Sequence, residues 1–188
     1  MTVLAWLKAY AAHDDPATHA ANIVAMVVGW NGLFYPIYMV FLLGWQIARP
    51  SLLTTLATPF FLAIPFISRR SSVAGRLLLP LIGAANTVWC LKLLGGDSGI
   101  DLFFLPCAIL AVLLYRRKEK PSFLLGLFVP FLLNFLPTTF LGAPLILLNS
   151  GQASSMRTLN ESCVICLIVF IAFQFSSLLR NGADDCNC

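Results

Sequence analysis

Hydrophobic residues in this chain come in long blocks, and the polar residues between them come in short ones. Six blocks approach the length a crossing helix needs: residues 21–43, 52–67, 77–94, 100–115, 122–140 and 162–179. Crossing takes roughly 20 apolar residues, because about 30 Å of hydrocarbon offers no water to a bare backbone. The second and fourth blocks are short for the task. A further apolar stretch, residues 142–148, is too brief to cross, and either caps the bundle or dips into the membrane surface. The pattern predicts an all-α, polytopic membrane protein, a six-transmembrane-helix bundle with short loops over residues 21–180. An interfacial segment, 1–20, precedes it and a short tail, 181–188, follows.

Finer patterning adds detail at both scales. Between residues 1 and 12, Val3, Leu4, Trp6, Leu7 and Tyr10 recur at helical spacing. This reads either as a short helix at the membrane surface, with Trp6 and Tyr10 at headgroup level, or as a frayed tail. Prolines 36, 59, 65, 80, 106 and 130 punctuate the blocks. Each frees a carbonyl that neighbouring helices must satisfy, which gives kinked packing or, alternatively, a hinge or ligand cavity beside a kink. Matching the first three blocks to the last three aligns only generic hydrophobicity, so no repeat supports a repeat-built transporter.

Composition removes the soluble alternative. Hydrophobic residues make up 59% of the chain and charged residues 11%, against roughly 25% charged in soluble domains. The mean hydropathy is +0.86. Lipid must be the solvent for much of this surface. The basic residues then orient it. Lys8, Arg69, Arg70, Arg76, Arg116, Arg117, Lys118, Lys120 and Arg180 fall on one side, and only Arg49, Lys92 and Arg157 on the other. The positive-inside rule places the richer side, and with it both termini, in the cytoplasm of a multi-pass inner (plasma) membrane protein. The opening residues show no signal peptide, since His13-Asp14-Asp15-Pro16 interrupts before an apolar core develops. The net charge of +4 forms no basic stripe interleaved with aromatics, so nucleic acid is not an expected partner.

Candidate chemistry is sparse. No ionisable residue sits in mid-block: Lys92, Asp97, Asp101 and Glu161 all fall near the outer boundary. That argues against an ion pump or cation channel. Uncharged polar residues do occur within the blocks, at Asn31, Asn86, Thr87, Asn134 and Gln174. They read as glue between helices or as the polar contacts of an apolar small-molecule pocket walled by Trp30, Tyr35, Tyr38 and Trp89. The candidate ligand set is Asn31, Tyr35, Tyr38, Asn86, Trp89 and Asn134. The outer turn 95–101 is glycine-rich and carries Asp97 and Asp101. Asp97, Ser98 or Asp101 could cap the following helix, or the two carboxylates could bind an external cation or amine.

The cysteines give no framework. Cys163 and Cys166 share a helical face but lack His or Cys neighbours, since His13 and His19 fall across the membrane; packing is their expected role. Cys90 and Cys107 are scattered among apolar segments, and Cys186 and Cys188 end the chain after Asp184-Asp185, reading as a free tail or, less well supported, a metal-capturing one. No metal and no cofactor is expected. No nucleophile elbow, metalloprotease motif or phosphate-binding loop is present, so the chain is not expected to be an enzyme.

One segment carries a resemblance. Residues 95–106, GGDSGIDLFFLP, place an outer turn with glycines and acids before a helix opening on Phe103-Phe104. With Ile64-Pro65 upstream, the basic loop 116–120, and Leu136-Pro137 before a longer outer loop, the stretch 46–175 resembles the six-helix N-terminal membrane module of bacterial class III adenylate cyclases of the mycobacterial type. Gly29-Trp30-Asn31-Gly32 and Pro36-Ile37-Tyr38 are more weakly similar to the membrane sensor of histidine kinases that receive lipid-like autoinducers. The resemblance implies a bacterial receptor-like module, homodimeric, whose last helix passes movement to a cytoplasmic or membrane output partner. The departure is that the catalytic aspartates of a cyclase have no place in this sequence, which ends eight residues beyond Arg180, so the chain is a free-standing module or a piece of a longer protein. The expected function is a membrane sensor binding an apolar or amphipathic ligand; the alternative is a small carrier or channel acting as a dimer.

Overall fold

The computed structural model describes residues 2–115, 119–135 and 138–184, and the described residues are helical, with no strand among them. The helices are α1 (Val3–Ala11), α2 (Pro16–Leu43), α3 (Trp45–Ala48), α4 (Thr58–Ser68), α5 (Ser72–Leu94), α6 (Phe104–Leu114), α7 (Lys120–Asn134) and α8 (Ser150–Asp184). A 3-10 segment, Arg49–Ala57, joins α3 to α4, so that Trp45–Ser68 runs as one apolar helical rod. Among the described residues, four helical segments are long and apolar enough to cross a membrane: Pro16–Leu43, Trp45–Ser68, Ser72–Leu94 and Ser150–Ser176. Ile100–Leu114 and Lys120–Asn134 are apolar but shorter, and coincide with the expected fourth block and most of the fifth. The fifth block was expected to run to residue 140; the helix ends at Asn134, and residues 136 and 137 lie outside the described residues.

The outside of the bundle is apolar, with Phe41, Phe173, Ile165 and Leu132 exposed. That inverts a soluble surface, and matches a wall that meets acyl chains. Two apolar cores are stacked along the bundle. One contains Met39, Leu93, Ile100, Phe104 and Met156. The other contains Val24, Ile64, Leu79, Leu114 and Ile171. The first lies at the end that carries the 95–101 turn, here the turn end. The second lies at the end where α2 begins and α4 finishes, here the arginine end after buried Arg76.

Two outlying segments dock in specific ways. α1 packs beside α4 at the arginine end, where the Tyr10 hydroxyl donates to the Leu62 carbonyl at 2.8 Å and the Arg69 guanidinium lies over the Tyr10 ring. Trp6 stacks on Tyr10 at 5.4 Å. The helical reading of the first residues therefore holds. The 142–148 stretch caps the turn end: amides of Leu145 and Ile146 donate to the carbonyls of Lys92 and Leu93, and Ile146 is buried. Those carbonyls at the end of α5 have no partner within their own helix, so the stretch satisfies them. Lys92 completes the clasp, donating from Nζ to the carbonyls of Leu141 (2.8 Å) and Ala143 (2.7 Å).

α8 is longer than the sequence block implied. It spans 35 residues, about 52 Å at 1.5 Å per residue, against a hydrocarbon thickness of about 30 Å. The block 162–179 marks only its apolar part. The polar turns 150–161 continue the same helix at the turn end.

Candidate functional site

Between the two cores lies a cavity of about 490 Å³, bounded by α2, α5, α6, α8 and the 3-10 segment before α4. Its volume is in the range of small-molecule sites. Of the expected ligand set, Asn31, Tyr35 and Asn86 line it. Three others do not. Tyr38 faces outward, 40% exposed. Asn134 is exposed at the end of α7. Trp89 turns aside to donate from Nε1 to the Leu53 carbonyl at 3.0 Å. In α2 the positions 27, 28, 31, 32 and 35 line the cavity, and Tyr38, one turn further along the helix, does not.

Pro106 lines the cavity as well, so one of the punctuating prolines sits beside a void. All four cysteines among the described residues, Cys90, Cys107, Cys163 and Cys166, contribute to the wall. Three helices bring them there, which no sequence spacing announces. Their thiols give the wall a soft, polarisable lining.

Two polar junctions flank the cavity. At the turn end, the Tyr35 hydroxyl donates to Asn160 Oδ1 at 3.0 Å, and Asn160 Nδ2 donates to the Ser98 carbonyl at 2.9 Å. Asn160 is fully buried. One side chain of α8 thus ties α2 to the 95–101 turn. The turn is shaped for this contact: Gly95 and Gly99 have φ of +77° and +71°, where a side chain is strained, and a Cβ on Gly99 would come within 3.0 Å of Arg157 Cγ on α8. The expected capping of the next helix by Asp97, Ser98 or Asp101 does not occur. Ser98 Oγ donates to the Gly95 carbonyl at 2.6 Å instead. α6 is entered through a 3-10 turn, Ile100–Phe103, with Phe103 at its N-cap and no side-chain cap. Asp97 is exposed and Asp101 half-buried.

At the arginine end the junction is charged. Arg76, expected as a loop cation, lies inside α5 and is 2% exposed. Its guanidinium donates to the Leu114 carbonyl at 2.7 Å and to Glu119 Oε1 at 2.6 Å, with Asp15 Oδ2 at 3.8 Å. Asp15 also accepts from Thr18 and Ser72. Alongside, Asn22 donates to the Ala11 carbonyl and accepts from Ser68. The starts of α2, α5 and α7 and the end of α6 are gathered on one cation. Tyr115 adjoins it with a buried hydroxyl lacking a hydrogen-bond partner among the described residues.

Sequence reasoning missed Asn160 and Arg76, though a signal existed for each. Met156, Asn160, Val164, Ile171 and Phe175 are the buried positions of α8 among its described side chains, spaced four or seven residues apart. Arg76, Leu79 and Pro80 lie in the same register of α5. Reading register through the polar positions, rather than scanning for apolar runs, would have placed both inside. Cys186 and Cys188 lie outside the described residues.

Residues 8–120 match the MASE7 family of membrane-associated sensor domains. The chain belongs to the MASE7 family. The match covers α2 through α6, including every cavity-lining segment but α8, the 95–101 turn and the Arg76 junction. No curated protein and no solved structure matches the chain. Membership supports a membrane location and a sensor class, which is the coarser part of the resemblance to the cyclase membrane module.

Proposed function

We propose that this MASE7 chain is a receptor module that holds an apolar or amphipathic molecule in the cavity between its two cores and reports occupancy through α8. The observation that carries this is the composition of the cavity wall. Ser162, Cys163, Cys166, Leu167 and Phe170 of α8 line the same cavity as Asn31 and Asn86, and α8 is also the helix that outlasts the bilayer. A ligand touching that wall acts directly on the element best able to carry displacement across the membrane. In this reading the chain crosses six times, with α6 and α7 as the short crossings. Both termini are cytoplasmic, and an output partner receives the movement of α8, in a homodimer. The module itself performs no catalysis.

The test is native mass spectrometry of the full chain released from membranes in mild detergent. The expected result is a dimer retaining a discrete mass that is not a phospholipid, lost in Asn31→Leu and Asn86→Leu. Retention of the same mass by both variants would place the ligand elsewhere and overturn the cavity reading. Solute flux in proteoliposomes would instead favour the carrier alternative.

A further inference from the structure

The cavity changes character along its length, and this bears on what it holds, given the ligand-binding reading above. Toward the turn end its wall carries Asn31, Tyr35, Asn86, Thr87 and Ser162. Toward the arginine end it carries Val28, Leu79, Leu110, Leu167 and Phe170. No lining residue among those described bears a charge.

The polar groups are not equivalent. Tyr35 and Thr87 commit their hydroxyl donors, to Asn160 and to the Gly83 carbonyl at 3.0 Å. The two amides do not. Asn31 has no side-chain hydrogen bond among the described residues, and the Asn86 amide meets only the Cys90 thiol, at 3.8 Å. An amide in hydrocarbon without partners is costly, because no water reaches it. Both therefore have donors and acceptors left for an occupant. Access is from the side. Asn31 and Cys166 are exposed, and each lies near the middle of an apolar crossing segment, at a depth where lipid is the neighbour.

We infer that the cavity takes an uncharged amphiphile from the lipid phase, its hydroxyl, ester or keto head between Asn31 and Asn86 and its hydrocarbon tail toward the arginine end. A carboxylate or ammonium head would lose its hydration with no counter-charge to meet it. A plain hydrocarbon would leave both amides unpaired. The head position shares its wall with Tyr35, whose hydroxyl holds Asn160, so the head is the part of the ligand that bears on α8.

The experiment uses the full chain in mild detergent with dodecanol, methyl laurate, laurate, dodecylammonium and dodecane as probes. Occupancy is read as protection of Cys166 from a maleimide, located by peptide mass spectrometry. The alcohol and ester are expected to protect at concentrations about tenfold or more below the charged probes and the alkane, the scale of an unpaired buried polar group. Asn86→Leu and Asn31→Leu should bring the alcohol to the level of the alkane, while Asn86→Gln keeps the preference; unchanged thermal transitions confirm folding. Val27 lines the cavity beside Val28 at the tail end, and Val27→Trp should weaken dodecanol and spare hexanol. Equal protection by laurate, dodecylammonium or dodecane would overturn the neutral-head inference and leave the cavity reading standing. No protection by any probe would overturn both.

Discussion

The two ends of this bundle solve one problem with different chemistry. Each must hold several helices together where the apolar core gives way to polar surroundings. The buried junction at the turn end is neutral, made of Tyr35, Asn160 and the Ser98 carbonyl, and outside it the half-buried Lys92 clasps the carbonyls of Leu141 and Ala143. The arginine end uses a buried cation shared by Glu119, the Leu114 carbonyl and Asp15. Neutral interhelical hydrogen bonds in membranes contribute only about 0.6–2 kcal/mol each. A buried charge stripped of its partners costs about 3–5 kcal/mol. The turn end can therefore rearrange at modest cost, while the arginine end resists. Under the proposed receptor reading both properties have a use, a yielding end beside the ligand and a fixed end against which displacement is measured.

The sharpest way to break that comparison is Arg76→Ala. It should destabilise the chain by about 3 kcal/mol, the lower end for a broken buried pair because Asp15 and Glu119 keep some solvent. Arg76→Lys should recover only part, since an ammonium cannot span the Leu114 carbonyl and Glu119 as a planar fork does. Denaturant unfolding in detergent micelles measures both, and a loss below that at the turn end would reverse the assignment of rigid and yielding ends.

Asn160→Leu should cost about 1–2 kcal/mol, the loss of two neutral bonds partly offset by an apolar replacement. The same melts apply, and spin labels on α2 and α8 should show their turn-end separation broadening while the arginine end stays fixed. Gly99→Ala should cost about 1–2 kcal/mol, from the left-handed backbone and the approach to Arg157. Its readout is thermal stability with Gly99→Ser, equally strained, as companion. Smallest is Lys92→Met, at about 1 kcal/mol or less, because the 142–148 cap keeps its backbone bonds to α5. Hydrogen exchange should rise across residues 141–148 and nowhere in α5. A global change instead would mean the clasp belongs to the core.

Much of this was readable from the residues in order. Six apolar blocks and 59% hydrophobic content determine an all-helical membrane protein, since only hydrogen bonds within a segment can satisfy a backbone in lipid. The glycines at 95 and 99 announce the outer turn, and three of the six expected ligand residues, Asn31, Tyr35 and Asn86, share a wall. What the tertiary structure alone decided is which polar residue faces which. Arg76 reads as a loop cation until α6 and α7 bring Leu114 and Glu119 to it. Asn160 reads as part of an external loop until α8 runs unbroken past the turn. Tyr38, Trp89 and Asn134 look like pocket residues until the packing of the helices leaves them outside the cavity. The physical reason is that apolar blocks report transfer into lipid, a property of one segment, whereas hydrogen bonds and ion pairs depend on distances between segments that the order of residues leaves open.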